Sequence, residues 1–318
     1  MALIDDLFVQ GLQMVLVLAV APLLTGLVRK VKARILRRRG PPLLQPYLDL
    51  LRLIRKEAVV AENASWLFRA APYAIFAATW VAAALVPTFA SGLLFSWSAD
   101  VIAIVALLGS ARFFLTLAGM DVGTSFGGIG SSREVMIASL AEPTMLMVVF
   151  TLSLLAHSTQ LATIPQVFDF SQVGLRISLG MAMIALILVA LAENARIPID
   201  NPTTHLELTM IHEAMVLEYS GRHLAMIEIG AQLKLVLYLS LIGAMFLPVG
   251  MAGPYAGAGA YLVGLGSYLA RLFAGGVLLG LFEVSIAKMR VFRVPEFLGA
   301  ALMLGFLATL LLFVSRGL

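Results

Sequence analysis

Of the chain's 318 residues, 61% are hydrophobic and only 13% are charged, with a mean hydropathy of +0.98. Ordinary soluble domains carry about 25% charged residues, so a water-soluble fold is excluded. The net charge of +4 comes mainly from a basic block at Arg29–Arg39, which points to membrane insertion and anionic headgroups rather than to nucleic acid.

A spanning helix needs roughly 20 apolar residues, because the hydrocarbon layer is about 30 Å thick and each helical residue rises about 1.5 Å. Eight stretches meet that need: Leu7–Val28, Ala70–Phe95, Val101–Gly119, Met136–Ala156, Gly174–Ala192, His223–Leu247, Ala260–Phe282 and Phe297–Val314. Lipid cannot satisfy free backbone groups, so every span is expected to be helical. The first span is too long for a secretory signal, and no small-residue cleavage site precedes the basic block. The expected fold is therefore all-α: a polytopic integral membrane protein forming one membrane domain over residues 1–318.

Loop charge gives an orientation. With the N-terminus outside, the inner segments Arg29–Arg69, Met120–Val135, Glu193–Arg222 and Glu283–Glu296 carry 11, 1, 2 and 3 Lys or Arg, while the outer segments carry only Arg316. Cytoplasmic loops are enriched in these residues, so both termini are expected to be periplasmic.

Between the basic block and the second span, an interfacial amphipathic helix is expected over about residues 44–58. Leu44, Tyr47, Leu48, Leu51 and Ile54 recur at helical spacing opposite Gln45, Asp49, Arg52 and Lys56, and Pro46 suits a first helical turn. Such a helix either rests on the headgroups or forms the mouth of a site or a platform for a partner.

Charged residues inside the spans include Arg112, Glu142, Lys234 and Arg271. Charge pairing that fixes helix packing is the simple reading for Arg112 and Arg271. Glu142, followed by Pro143 and set among apolar residues, suits a proton relay, because desolvation favours the neutral carboxyl.

The densest charge lies in AENARIPIDNPTTHLELTMIHEAMVLEYSGRHLAMIE, where Glu193, Asp200, Glu207, Glu213, Glu218 and Glu228 supply six of the 18 carboxylates. Its first part, 193–222, is read as an acidic cytoplasmic loop. Such a set marks either an ion pathway or a solvated loop that holds partners. A zinc site fails: four residues after His212 stands Val216 rather than a second histidine. On a continuous helix His205 and His212 would lie about 10 Å apart, too far for ligands that each reach zinc at about 2 Å. With no cysteine, the chain offers neither a disulfide nor thiolates for an iron–sulfur cluster.

At these residues the sequence resembles the subunit 1 family of respiratory complex I membrane proteins and its counterparts in membrane-bound hydrogenases. GPPLLQPYLDLLRLIRKE at Gly40–Glu57 is similar to the family's first-loop signature, with Gln45, Pro46, Asp49 and the Lys56–Glu57 pair in place. ENARIPID at Glu193–Asp200, EYSG at Glu218–Gly221, and the spacing of Arg133, Val135 and Glu142 also match. The loop before LLQP is shorter than in complex I, and the acidic loop is longer and lacks the Glu-Gly-Glu pattern. Both features resemble the anchor subunits of formate-hydrogenlyase and hydrogenase-4 type nickel–iron complexes. Those loops shape the quinone chamber in complex I, so their divergence speaks against quinone binding here.

The resemblance implies a non-redox subunit, not catalytic alone, that anchors a peripheral hydrogenase arm and couples it to proton or sodium movement. No cofactor is expected in this chain; a nickel–iron centre and iron–sulfur clusters are expected in partners. Those partners would be hydrogenase large and small subunits, iron–sulfur subunits and antiporter-like membrane subunits, in a bacterial inner membrane. Glu142, Glu193, Asp200, Glu207, Glu213, Glu218 and Glu228 would form the ion path, with Arg133, Arg196 and Lys234 as charge partners. Gln45, Pro46, Asp49, Arg52, Lys56, Glu57, His205 and His212 would face the peripheral arm. The rival readings are a quinone-site subunit of an NADH:quinone oxidoreductase and a self-sufficient secondary ion transporter.

Overall fold

The computed structural model describes residues 2–92, 94–164, 177–200, 210–253 and 256–317. Among them the regular structure is helical, with only isolated β-bridges such as Asp100 with Gln160 at the chain crossings. Among the described residues, seven helices are long and apolar enough to cross a bilayer. An eighth, shorter apolar helix, Ile177–Glu193, starts where the described residues resume.

The first helix, α1 (Ala2–Ile35), is 34 residues long, about 51 Å at 1.5 Å per residue, so it outreaches the hydrocarbon layer. Its end carries Lys32 and Arg34 in the last turn. The chain then reverses through Arg37 and Gly40, both with positive φ, into α2 (Gln45–Arg55). Pro46 sits in the first turn of α2, as its missing N–H favours, and is buried together with Leu50. Leu44, Leu48, Leu51 and Ile54 remain exposed, the pattern of a helix lying along an apolar boundary. The helix is shorter than expected because Lys56 turns extended.

Ser65 caps α3 (Trp66–Leu85) by accepting a hydrogen bond from the Leu67 amide. The apolar run carries this span to Phe95 by sequence, but the helix stops at Val86, whose backbone is extended just before Pro87. Asp100 caps α4 (Val101–Asp121), and Thr124 caps α5 (Ser125–Ala156). Helix α5 begins at Ser125 rather than Met136. The glycines of residues 125–130 allow close packing: a side chain at Gly127 would strike the Gly119 carbonyl, and one at Gly130 would press on Met215.

Then follow α6 (Ile177–Glu193), the single turn α7 (His212–Val216), α8 (Gly221–Phe246), α9 (Ala258–Ser285) and α10 (Val294–Gly317). Helix α8 forms the axis, packing against α1, α2, α3, α6 and α9, while α5 joins α4, α6 and α10. The end of α1, α2, the described parts of the α6–α8 connection (194–200 and 210–220) and the end of α9 gather at one end of the bundle, the basic end. At the opposite end, Gln13 donates to the carbonyls of Ala84 and Val86, and the Val101 amide donates to Thr159. There Arg271 donates to the carbonyls of Leu247 and Thr88, covering the C-terminus of α8.

Candidate functional site

An arginine inside an apolar span must find anionic partners, since a lone buried charge is expensive. Arg112 finds three. Its Nε lies 3.2 Å from Glu134 Oε1, one terminal nitrogen lies 3.3 Å from Glu142 Oε1, and the other pairs with Glu193 Oε1. Lys234 reaches the second oxygen of Glu193 at 2.7 Å. Four helices supply the cluster: Arg112 from α4, Glu134 and Glu142 from α5, Glu193 from the end of α6, and Lys234 from α8. With every member ionised, two cations face three carboxylates, so the cluster carries one excess negative charge.

Its members differ in access. The side chains of Arg112 and Glu193 are 4% and 5% exposed, whereas that of Glu142 is 45% exposed. The cluster is therefore sealed within the bundle and opens sideways at one carboxylate. Opposite Glu142 stands Gly109, whose absent side chain leaves the carboxylate room against α4. Tyr238, one turn beyond Lys234 on α8, lies within the electrostatic reach of Arg112 and Glu142.

A second network lies towards the basic end. Glu283 is buried and takes Lys32 at 2.7 Å and Arg196 at 3.4 Å. Burial lowers the Arg196 guanidinium from its ordinary value, Glu283 opposes that shift, and nearby Arg29 adds to it. Asp200 pairs with Lys288 at 3.1 Å and accepts the amides of Ile211 and His212 at 3.3 Å each, capping α7. The Met289 amide donates to the Pro198 carbonyl at 2.8 Å. The ENARIPID segment is thus held at Glu193, Arg196, Pro198 and Asp200.

The EYSG segment clamps the connection between α2 and α3. Ser220 Oγ accepts from the Val59 amide at 2.8 Å and donates to the Val59 carbonyl at 2.9 Å. Tyr219 stacks on Phe68 with ring centres 3.9 Å apart, and its hydroxyl donates to the Phe68 carbonyl. Burial, with Asp121 nearby, pushes that hydroxyl above its ordinary pKa.

Of the residues expected on an ion path, Glu142 and Glu193 meet at Arg112, while Asp200 turns to Lys288. Glu218 and Glu228 form no ion pair among the described residues, and Glu213 lies half-buried on α7. Glu207 and His205 lie outside the described residues. Lys234 acts as a charge partner within the cluster, and Arg196 does so with Glu283. Arg133 donates to the Met210 carbonyl at 2.6 Å. On α2, Gln45 donates to Asp49 at 2.9 Å, Pro46 is buried, and Arg52, Lys56 and Glu57 are exposed at the basic end, where His212 is half-buried.

The amino-acid order gives no sign of roles for Glu134, Lys32 and Glu283, and on its own marks Arg112 only as a packing charge. Glu134 lies just before the apolar run that begins at Met136, so by sequence its carboxylate falls in the preceding loop. The available signal was that a mid-span arginine demands acidic partners. Among the described residues, no three His, Asp or Glu converge as a metal-binding set.

The comparisons agree with this architecture. The chain is 31% identical over 297 residues to formate hydrogenlyase subunit 4 of Escherichia coli strain K12, covering 93% of this chain and 95% of that one. Hydrogenase-4 component C of the same organism is 33% identical over 240 residues, covering 76% and 75%. Wheat (Triticum aestivum) NADH-ubiquinone oxidoreductase chain 1 is 28% identical over 241 residues, covering 72% and 73%. A chain of the membrane-bound sulfane sulfur reductase, an archaeal respiratory membrane complex, superposes with a TM-score of 0.82 at 18% identity, over 97% of this chain and 99% of that one, and so shares the fold. The family model described as NADH dehydrogenase matches residues 9–314, so a buried arginine joining three carboxylates within a polytopic helical bundle sits here in a member of the NADH dehydrogenase subunit 1 family.

Proposed function

We propose that this chain is the anchor and coupling subunit of a complex I-like membrane-bound hydrogenase. In this reading the basic end faces the cytoplasm, both termini are periplasmic, and a peripheral arm bearing the nickel–iron centre and iron–sulfur clusters docks there. The Arg112 cluster passes protons or sodium ions to antiporter-like neighbours in the bacterial inner membrane.

The observation that carries the proposal is the five-charge cluster, largely enclosed and most open at Glu142. Buried charge pairs are weak sources of stability, and a hydrophobic replacement is often as stable. An arginine shared among three carboxylates, one open sideways, instead provides alternative places for a cation or proton. The half-exposed Glu142 carboxylate is the natural exit towards a neighbouring membrane subunit. The exposed charged surface at α2, with Arg52, Lys56 and Glu57, supports docking at the basic end.

The test is to purify the complex in mild detergent and reconstitute it in vesicles. Co-purification of a nickel–iron subunit and donor-driven ion uptake are expected. Glu193→Gln should depress uptake far more than hydrogenase activity measured with an artificial electron acceptor. Wild-type uptake in that variant would refute the coupling role, and quinone-dependent electron transfer without a nickel–iron partner would refute the hydrogenase assignment.

A further inference from the structure

Glu283 is a carboxylate for which neither packing nor the cluster above gives an obvious reason. It lies in the last turn of α9 with its side chain 1% exposed, between a lysine from α1 and an arginine from the α6–α7 connection. Removing a carboxylate from water is costly, and apolar residues of similar volume would pack the site at no such cost. The contact nevertheless joins three parts of the chain that are far apart in sequence.

Arg196 lies three residues beyond Glu193, and the backbone between them is tightly wound. The Ala195 amide donates to the Ala192 carbonyl, and the Arg196 amide donates to the Leu191 carbonyl. The Ile199 and Asp200 amides both return to the Arg196 carbonyl. Any movement of the Arg196 side chain is therefore transmitted through a short, bonded segment to the Glu193 carboxylate between Arg112 and Lys234. Lys288 on Asp200 and the Met289 amide on Pro198 fasten the same segment from the far side.

We propose that Glu283 is a positioning residue for the central cluster: through Arg196 it fixes the segment 193–200, and so holds the Glu193 carboxylate between its two cations. Lys32, 24% exposed at its side chain, balances the remaining Glu283 oxygen from α1. The bundle's long first helix is thereby tied to the segment that carries Glu193. This inference rests on the reading of the Arg112 cluster as an ion path, but its structural half can be tested separately.

The experiment uses the whole complex and four variants: Glu283→Gln, Glu283→Asp, Arg196→Gln and the double variant Glu283→Gln with Arg196→Gln. Three readouts are compared: hydrogenase activity with an artificial acceptor, donor-driven ion uptake, and amide hydrogen exchange over residues 193–200. Glu283→Gln should lower uptake about tenfold with hydrogenase activity retained, and should speed exchange in that segment. Glu283→Asp keeps the charge and should recover most of both. Residues that act through one another couple, so the double variant should be no worse than Glu283→Gln alone. If Glu283→Gln prevents assembly, Arg196→Gln carries the test from the other end of the pair.

Unchanged exchange over 193–200 overturns the inference, as does failure of Glu283→Asp to recover, or additive losses in the double variant. Should Glu193→Gln itself leave uptake intact, the ion-path reading fails. Faster exchange in Glu283→Gln would then still uphold positioning, and unchanged exchange would refute it.

Discussion

Glu142→Gln separates an ion path from a packing device, because the structure makes its stability cost small. At 3.3 Å and an effective dielectric of about 20, the attraction of Glu142 for Arg112 is roughly 5 kcal/mol before desolvation. That gross figure is mostly offset, since the side chain is 45% exposed and exposed pairs contribute about 1 kcal/mol or less. The substitution also removes the cluster's excess negative charge while leaving Arg112 with Glu134 and Glu193, and Lys234 with Glu193. Glutamine keeps the volume and a hydrogen-bonding amide but cannot exchange a proton. The complex should therefore retain its subunits and its hydrogenase activity with an artificial acceptor, and its thermal midpoint should move by only a few degrees. Donor-driven ion uptake in vesicles should fall at least about tenfold, since a positioned proton-transfer group typically contributes about a hundredfold or more. Uptake at the wild-type rate would refute the reasoning, as would loss of the peripheral arm before loss of uptake.

Arg112→Gln should behave oppositely, stranding three carboxylates around one lysine; a cost of about 3–5 kcal/mol should appear as poor assembly and low yield of intact complex. Gly221→Ala should loosen the α2–α3 connection: Gly221 has φ +52°, and an added methyl carbon would strike the Glu57 carbonyl, so about 1–3 kcal/mol of strain should lower the thermal midpoint and expose Lys56–Val60 to protease. Tyr219→Phe keeps the stacked ring but loses the bond to the Phe68 carbonyl, costing about 1 kcal/mol in thermal unfolding. The hydroxyl's pKa is raised in the folded state, so its stabilisation is complete below about pH 10 and is lost as pH rises beyond it. The wild type should thus lose stability above about pH 10 more steeply than Tyr219→Phe, and equal slopes in thermal melts between about pH 9 and 11 would refute that cause.

The fold class and the approximate places of the apolar segments are legible in the amino-acid order alone, because the bilayer imposes a length and a composition on each span that single residues cannot disguise. So is the basic end of the bundle, and so are Glu142, Glu193 and Lys234 as residues of interest, since ionisable groups at membrane depth stand out locally. Helix ends are less legible. The glycines of 125–130 look like a loop until Gly119, Ala214 and Met215 are seen packed against them. The pairings came from the three-dimensional packing. Arg112 and Glu193 lie 81 positions apart, and Lys32 and Glu283 lie 251 apart, so no helical periodicity relates them. Charge partners across a bundle are set by helix rotation and depth, which depend on the packing of every neighbour. Asp200 illustrates this: it reads as one more carboxylate of an acidic path, yet the fold turns it to Lys288 and the amides of α7.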